Sequence, residues 1–309
     1  MNLIGLRDKS PEEILEILDL AEEFIDEDSK AYVPPDYRDV LADTSLAMLF
    51  FEPSTRTRVS FEFAAHKLGA FTLFLSEKDS SVKKGETVVD TCRNLEAMGF
   101  DGMVIRHGDR QLPFTLADNL SASLVNAGNG SGEHPTQALL DALTLRRAIN
   151  PSGRDLSGKR VAIIGDIVHS RVARSDVFAL RALGAEVVLA GPSMLLPKAH
   201  DEEWPADRAH SRAEALEGAD AVIMLRIQAE RIHGDVIDTN TFIRDWGIDQ
   251  AVVEEEMKPE TKILHPGPVI RGVELTGSVA DGPNSLILDQ VGIGVAVRQA
   301  VLYKCLTDQ

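Results

Sequence analysis

Apolar and polar positions follow two different periods along the chain, and the changes of period divide it into predicted helices and strands. The first helix is predicted to begin after Ser10, because residues 10–13 form a capping box with proline at the first helical position. An apolar stripe at helical spacing then runs from Ile14 to Ile25. The acidic, proline-bearing segment 26–43 is predicted to be mostly loop.

The rest of the first half predicts repeated strand and helix units. Apolar runs at about 45–51, 71–75 and 102–106 are typical of buried strands, and helical spacing predicts helices up to about Leu68 and at 87–98. The polar, glycine-bearing segment 76–86 is predicted to be a mobile loop. A glycine- and asparagine-rich segment, 126–132, precedes a further helix at about 135–149. Such alternation favours parallel strands with crossover helices.

The second half repeats this pattern after a predicted linker at 150–153. Strands are predicted at 160–164, 187–190, 219–225 and 262–265, and a helix at about 172–183. The last helix, from about 286, is apolar enough to pack back across the first domain. We therefore predict an α/β fold of two domains, each a parallel sheet flanked by helices. The first spans residues 1–150 and is completed by the C-terminal helix at about 286–309, and the second spans residues 151–285.

Composition narrows the class of protein. A length of 309 residues favours about two domains, and 44% hydrophobic with 26% charged residues is ordinary for a soluble globular chain. The net charge of −17 argues against a nucleic-acid partner, which is held mainly by Lys and Arg. Neither a leader sequence nor an apolar run near the roughly 18 residues of a membrane span is found. Cys92 and Cys305 are isolated and fit neither a disulfide framework nor a metal spacing, which favours the cytoplasm.

The stretch from Phe50 to Glu62 carries the most chemistry. It reads as strand, tight turn and helix, with Ser54 as the expected N-cap whose hydroxyl accepts a backbone N–H. The N–H groups and positive dipole end of the helix, with the hydroxyls and two guanidinium groups nearby, predict an anion site. A capped helix with solvated arginines is the alternative. The apolar face of this helix is predicted from Val59, Phe63 and Ala64.

Other polar residues are ambiguous when each is taken alone. Arg106 at a strand end could be salt-bridged, and His134 at a helix start could be a cap. The segment after 160–164 resembles a dinucleotide-binding unit, but its one glycine, Gly165, is not the glycine fingerprint of an oxidoreductase. His265 has no partner at zinc spacing, so neither a metal nor a cofactor is expected.

Taken together, three motifs in chain order resemble the aspartate/ornithine carbamoyltransferase family: Ser54-Thr55-Arg56-Thr57-Arg58, His134-Pro135-Thr136-Gln137 and His265-Pro266-Gly267-Pro268. Segment 80–86, Arg171 and Arg226-Ile227-Gln228 are similar to the aspartate-specific members. The resemblance covers nearly the whole chain. It implies transfer of the carbamoyl group of carbamoyl phosphate to L-aspartate, in de novo pyrimidine (UMP) biosynthesis. It also implies a homotrimer with shared active sites.

The resemblance assigns roles residue by residue. Carbamoyl phosphate is expected to bind Ser54, Thr55, Arg56, Thr57, Arg106, His134, Gln137 and the main chain of Gly267 and Pro268. Aspartate is expected to bind Ser80, Lys84, Arg171, Arg226 and Gln228, with Ser81 a close rival of Ser80; the lysine and the serine come from a neighbouring subunit. The catalytic set is expected to be Arg56, Thr57, Arg106, His134 and Lys84. Val172 and Gly267 depart from some members, which have Thr and Leu there.

Several alternatives stay open at this level. Ornithine carbamoyltransferase, or a member with another acceptor, is the nearest rival, although its site should hold fewer cations and its turn tends to read His-Cys-Leu-Pro. A non-catalytic anion-binding protein on the same fold is another alternative. A regulatory chain or a dihydroorotase could join the trimers. No side chain needs to be a nucleophile, and we expect the departing phosphate to take the amine proton.

Overall fold

The computed structural model describes residues 1–76, 85–199, 201–227 and 238–307. The chain divides into two compact units, Met1–Leu140 with Val291–Gln309, and Asp141–Gln290. Each unit is a parallel sheet with helices around it, so the predicted α/β class is confirmed. The domain boundary at residue 150 stays a prediction. Within the described ranges, no helix has the length and apolar character needed to cross a bilayer.

The first unit is built on a four-stranded parallel sheet in the order β2-β1-β3-β4. Its strands are β1 (Ser45–Phe50), β2 (Phe71–Ser76), β3 (Gly102–His107) and β4 (Ser123–Asn129). Its helices are α1 (Pro11–Glu23), α2 (Thr55–Lys67), α3 (Val88–Ala97), α4 (Leu112–Ala117) and the start of α5 (Pro135–Ile149), and a 3₁₀ turn covers Pro35–Tyr37. All described pairs of neighbouring strands run parallel, so their carboxyl ends share one edge.

The C-terminal helix α11 (Ile287–Thr307) completes this first unit, as predicted. Arg298 Nη1 donates to Ser60 Oγ at 2.9 Å, and its guanidinium lies 5.0 Å from the ring centroid of Phe61. Near the end of the helix, the carbonyl of Cys305 accepts hydrogen bonds from Ser123 Oγ and from the N-terminal amine. The helix is therefore fixed along its length by contacts to β4, α2 and the chain start.

Local signals fix the helix starts, but they misidentify the buried face of α2. The capping box at Ser10 forms as predicted, with the Glu13 N–H donating to the serine hydroxyl. In α2, however, Val59 and Phe63 are 53% and 51% exposed. The buried face consists instead of Thr57, Phe61, Ala64 and Ala65. The prediction was right for Ala64 but wrong for Val59 and Phe63, because Phe61, two positions from either residue, lies on the opposite side of the helix and takes the core contact.

The second unit contains a five-stranded parallel sheet in the order β7-β6-β5-β8-β9. Its strands are β5 (Arg160–Ile164), β6 (Glu186–Ala190), β7 (Asp207–Arg208), β8 (Ala221–Met224) and β9 (Lys262–Leu264). Its helices are α6 (Arg171–Ala182), α7 (Arg212–Leu216), α8 (Thr239–Trp246), α9 (Gln250–Glu256) and α10 (Gly277–Ala280), with a 3₁₀ turn at Ser193–Leu195. β5, β8 and β9 are adjacent, and this adjacency positions the second group of candidate residues.

Candidate active site

In the first unit the arginine turn and Arg106 lie at the same edge of the sheet. β1 and β3 pair in parallel with Phe50 opposite Arg106, and Phe51 N–H donates to the Arg106 carbonyl at 2.9 Å. The chain leaves β1 there, and α2 begins at Thr55. Because parallel strands end together, two motifs 50 residues apart in sequence meet at this edge.

The N-terminus of α2 differs from the prediction in how its hydroxyl and arginine side chains are used. Ser54 is the N-cap residue with extended backbone, but its hydroxyl makes no capping hydrogen bond, which corrects the prediction. Arg56 on the first turn is exposed. Arg58 is engaged elsewhere, since its Nε lies 3.0 Å from Glu62 Oε1 and its guanidinium lies 3.6 Å from the centroid of Phe74. The turn therefore presents Arg56, and not Arg58, together with a hydroxyl that the helix does not use.

Arg106 is held by the neighbouring strand β4 and by Glu52. Its Nη1 donates to the Ala127 carbonyl at 3.0 Å, and its Nε lies 3.9 Å from Glu52 Oε2. The side chain is 12% exposed. A carbonyl on one side and a carboxylate on the other fix the direction of a planar fork that suits phosphate or carboxylate oxygens.

Thr57 and His134 come together from distant parts of the chain. Thr57 Oγ1 lies 3.5 Å from His134 Nε2, and both residues are buried. His134 precedes the first residue of α5, and Gln137 is buried on the first turn of that helix. The first unit thus brings together a hydroxyl and an imidazole that sequence analysis had placed in one site, and Gln137 lies one helical turn beyond His134.

In the second unit, candidate residues follow three adjacent strands. Arg171 is the first residue of α6, after β5, and its side chain is buried. Ser170 caps this helix, because its hydroxyl accepts the Ala173 N–H. Arg226 follows β8, and the turn from His265 follows β9. Parallel strands in the order β5-β8-β9 bring their carboxyl ends to one edge, so both arginines and the turn belong to the same end of this sheet.

The turn after β9 is anchored by buried hydrogen bonds. His265 N–H donates to Gln290 Oε1 at 3.0 Å, and Gly267 N–H donates to His265 Nδ1 at 2.8 Å. The Gly267–Pro268 peptide bond is cis. Gln290 in turn donates from Nε2 to Asp141 Oδ1 at 2.6 Å. This network leaves the main chain of Gly267 and Pro268 in one fixed arrangement.

Sequence analysis missed several acidic side chains. Glu52 faces Arg106, and Asp166 binds the His169 ring with Oδ1 to Nδ1 at 2.8 Å. Asp176 is fully buried, and burial together with the neighbouring Asp141 raises its pKa well above the ordinary value. Only the Asp-x-x-His spacing directly after Gly165 could have signalled one of these pairs; the others depend on contacts between distant segments.

Four residues named from the sequence, Ser80, Ser81, Lys84 and Gln228, lie outside the described residues, as does most of the loop predicted to be mobile. Across the ranges that are described, no group of three or more His, Cys, Asp or Glu side chains could hold a metal ion.

Comparison with known families decides the class. Residues 1–147 match the carbamoyl-phosphate-binding domain of the aspartate/ornithine carbamoyltransferases, and residues 157–305 match their aspartate/ornithine-binding domain. The chain belongs to the aspartate/ornithine carbamoyltransferase family. It has the α/β fold of that family, whose members are carbamoyltransferases.

Individual members extend this result. An aspartate carbamoyltransferase catalytic subunit from Anaeromyxobacter sp. (strain Fw109-5) is 50% identical over 304 residues, which cover 97% of this chain and 93% of the relative. An ornithine carbamoyltransferase from Pyrococcus furiosus has a similar structure, with a TM-score of 0.86, 28% identity and 100% and 97% coverage. Aspartate transcarbamoylase from Trypanosoma cruzi in complex with carbamoyl aspartate and phosphate gives a TM-score of 0.84, 29% identity and 99% and 95% coverage. Structural similarity therefore does not separate the two acceptors, whereas the sequence similarity favours aspartate.

Proposed function

We propose that this chain transfers the carbamoyl group of carbamoyl phosphate to the amine of L-aspartate, giving N-carbamoyl-L-aspartate and phosphate for pyrimidine (UMP) biosynthesis. The observation that carries the proposal is 50% identity to an aspartate carbamoyltransferase catalytic subunit over 97% of the chain. Two arginines at adjacent strand ends of the second unit support a dicarboxylate acceptor.

The proposed phosphate cradle is the turn at the start of α2. Ser54, Thr55, Arg56 and Thr57 surround the helix N-terminus, where backbone N–H groups and the helix dipole favour an anion. The hydroxyl of Ser54 makes no capping bond, so a phosphate oxygen would be its partner. Arg106, oriented by the Ala127 carbonyl, would reach both the phosphate and the carbonyl oxygen.

Catalysis then depends on donors at the carbamoyl oxygen, where negative charge develops in the tetrahedral transition state. Thr57, Arg106 and His134 are proposed to donate there, and Gln137 with the main chain of Gly267 and Pro268 to hold the carbamoyl amide. Preorganised donors stabilise the developing charge because they need no rearrangement during the reaction, and one such donor is worth roughly 10²–10³ in rate. The 3.5 Å approach of Thr57 and His134 supports this role.

The arginines counter a repulsion between substrates. Carbamoyl phosphate is a dianion, and so is the form of aspartate whose amine is free to attack. Each pair of like charges about 4 Å apart costs on the order of 1 kcal/mol in water and about 4 kcal/mol at an effective dielectric near 20. Arg171 and Arg226, with Gln228, are proposed to bind the carboxylates of aspartate. Holding both substrates in line is itself worth about 7–11 kcal/mol in well-oriented cases.

The proton of the attacking amine is proposed to leave with the phosphate, because the reaction needs no covalent intermediate on the protein. A pH–rate profile tests this step. The proposal would be contradicted if the rate required one protein group in its basic form, and if replacing a residue outside the phosphate cradle removed that requirement.

The proposed assembly is a homotrimer in which a neighbouring copy contributes Lys84 and Ser80 or Ser81. An exposed apolar surface supports it: Val59 and Phe63 lie one turn apart on α2, and exposed Phe71 opens the neighbouring β2. The cytoplasm is the proposed compartment, where the buried thiols of Cys92 and Cys305 would stay reduced.

A direct assay tests the proposed function. Purified protein is mixed with carbamoyl phosphate and either L-aspartate or L-ornithine, and the ureido product is quantified. We expect turnover with aspartate and none with ornithine. Turnover with ornithine alone would assign the chain to the other branch, and phosphate binding without turnover would make it a non-catalytic anion-binding protein.

A further inference from the structure

The loop between β4 and α5 is closed on itself through one asparagine. Asn129 Oδ1 accepts the Glu133 N–H at 2.7 Å, and the Asn129 N–H donates to the Glu133 carbonyl at 3.2 Å. The Asn129 carbonyl also accepts the Gly132 N–H at 2.7 Å. Three hydrogen bonds therefore join the two ends of segment 129–133, which ends directly before His134.

The same side chain ties this loop to the connection between β3 and α4. Asn129 Nδ2 donates to the Arg110 carbonyl at 2.6 Å, and Asn129 Oδ1 also accepts from Asn126 Nδ2 at 3.0 Å. Asn129 is 1% exposed and Asn126 is fully buried. Both side-chain heteroatoms of Asn129 are hydrogen-bonded, and a buried amide held in this way keeps one geometry, because rotation would leave a polar group unpaired.

His134 is consequently fixed from both sides along the backbone. On its C-terminal side its carbonyl accepts from Gln137 and Ala138 N–H groups in the first turn of α5. On its N-terminal side the peptide of Glu133 is held by Asn129. The imidazole then lies buried with Nε2 3.5 Å from Thr57 Oγ1.

We infer that Asn129 is a positioning residue that sets the place of His134 for carbamoyl transfer. The inference rests on the proposed function, in which His134 donates to the carbamoyl oxygen. Asn129 would not touch a substrate; its hydrogen bonds would keep the imidazole at the distance the transition state requires. Misplacing a catalytic group by about 1 Å can cost on the order of 10²-fold in rate.

A glycine offers a second, independent way to disturb the same contact. A Cβ at Gly132 would lie 2.7 Å from both side-chain heteroatoms of Asn129, closer than any such contact allows. Gly132→Ala should therefore displace the asparagine amide without removing it. Asn129→Ala deletes the amide.

The experiment compares kcat and KM for Asn129→Ala and Gly132→Ala with the wild-type chain, using carbamoyl phosphate and aspartate. We expect kcat to fall roughly 10- to 100-fold in both variants while KM for aspartate stays close to the wild-type value. Circular dichroism and thermal unfolding establish that each variant is folded. If one variant does not fold, the other carries the comparison.

Asn150→Ala is the matched control. Asn150 lies beyond the other end of α5, where its Nδ2 donates to the Asp155 carbonyl at 2.9 Å and its carbonyl accepts the Gly153 N–H. The same substitution there removes a comparable loop contact and should leave kcat at the wild-type value, even if thermal stability falls.

A double-mutant cycle with His134→Ala separates positioning from general weakening. If Asn129 acts through His134, the double variant should be no slower than His134→Ala alone, because the imidazole is already gone. A full multiplication of the two losses would overturn the inference, and so would wild-type kcat in the folded Asn129 and Gly132 variants. An inactive wild-type chain would refute the proposed function and the inference with it, whereas an active wild type with unaffected variants would refute the inference alone.

Discussion

Thr57 Oγ1 lies 3.5 Å from His134 Nε2, although 77 positions separate the two residues in the sequence. One side chain comes from the first turns of α2 and the other from the start of α5, so the contact depends on the β1-β3-β4 order of the sheet. Both residues are buried, and a buried polar group costs free energy unless it is hydrogen-bonded.

Removing either donor should slow the chemical step. We expect Thr57→Ala and His134→Ala each to lower kcat by about 10²–10³, since each removes one donor from the carbamoyl oxygen. Initial rates with saturating substrates measure this. His66→Ala is the control, because His66 is exposed on the same helix and its ring makes a hydrogen bond with Thr72 Oγ1, away from His134. Unchanged kcat in both active-site variants would contradict the proposed roles.

Arg226 should govern the acceptor. Arg226→Gln removes the proposed charge-assisted hydrogen bond to an aspartate carboxylate. Such a bond is worth about 1.5–3 kcal/mol, so KM for aspartate should rise roughly 10- to 100-fold. Binding of carbamoyl phosphate, measured by calorimetry, should change little. Arg244→Gln serves as the control, since Arg244 pairs with neighbouring Asp245 at the surface of the same unit. An equal rise in KM in both variants would show a nonspecific charge effect.

The two faces of α2 should respond differently to truncation. Phe61→Ala empties a fully buried position and should lower the free energy of unfolding by about 3–5 kcal/mol, whereas Phe63→Ala should change the stability of an isolated chain by less than about 0.5 kcal/mol. Urea unfolding measures both. Similar losses in the two variants would mean that the helix packs in another orientation.

Phe63 should instead matter for assembly. A charge at an apolar contact between copies is costly to bury, so Phe63→Asp should shift the sedimentation of the purified chain from trimer towards monomer. Met194→Asp is the control: Met194 is exposed in the other unit, so this variant should leave the trimer intact. A wild-type chain that sediments as a monomer would contradict the proposed assembly itself.

Asp176 should make stability depend on pH. Burial raises the pKa of Asp176 well above its ordinary value near 3.8, so above that pH the folded state holds a proton that the unfolded state has lost. Stability therefore falls as pH rises towards the folded-state pKa, by up to about 1.4 kcal/mol per pH unit. Asp176→Asn, neutral and of the same shape, should remove this slope.

Unfolding in urea between pH 4 and pH 8 compares the two proteins. Asp176→Asn should be more stable than the wild type at pH 7. The difference should become small at pH 4, close to the ordinary pKa of 3.8, because the unfolded wild type then also holds much of its proton. Exposed Asp36→Asn is the control and should leave the slope in place. A wild-type stability that does not fall with rising pH across this range would contradict the prediction.

Local patterns identified most elements because the forces behind them act over a few residues. The capping box at Ser10, the apolar strand runs and the last helix follow from hydrogen bonds and periods that can be read in one stretch. The order of the motifs also indicated the family, which the two matching domains then showed. The roles of the individual site residues stay predictions, and Ser80, Lys84 and Gln228 lie outside the described residues.

The sequence by itself determined the α/β class, the places of the strands other than β4 and β7, and the motifs that carry anion chemistry, because each depends on neighbours in the chain. Only the tertiary structure decided that Phe61 and not Phe63 faces the core, that Arg58 is engaged by Glu62 and Phe74, and that Asn129 holds the loop before His134. These facts depend on which distant segments the sheet order brings together. A side chain is buried, paired or positioned by neighbours that its own stretch of sequence does not contain.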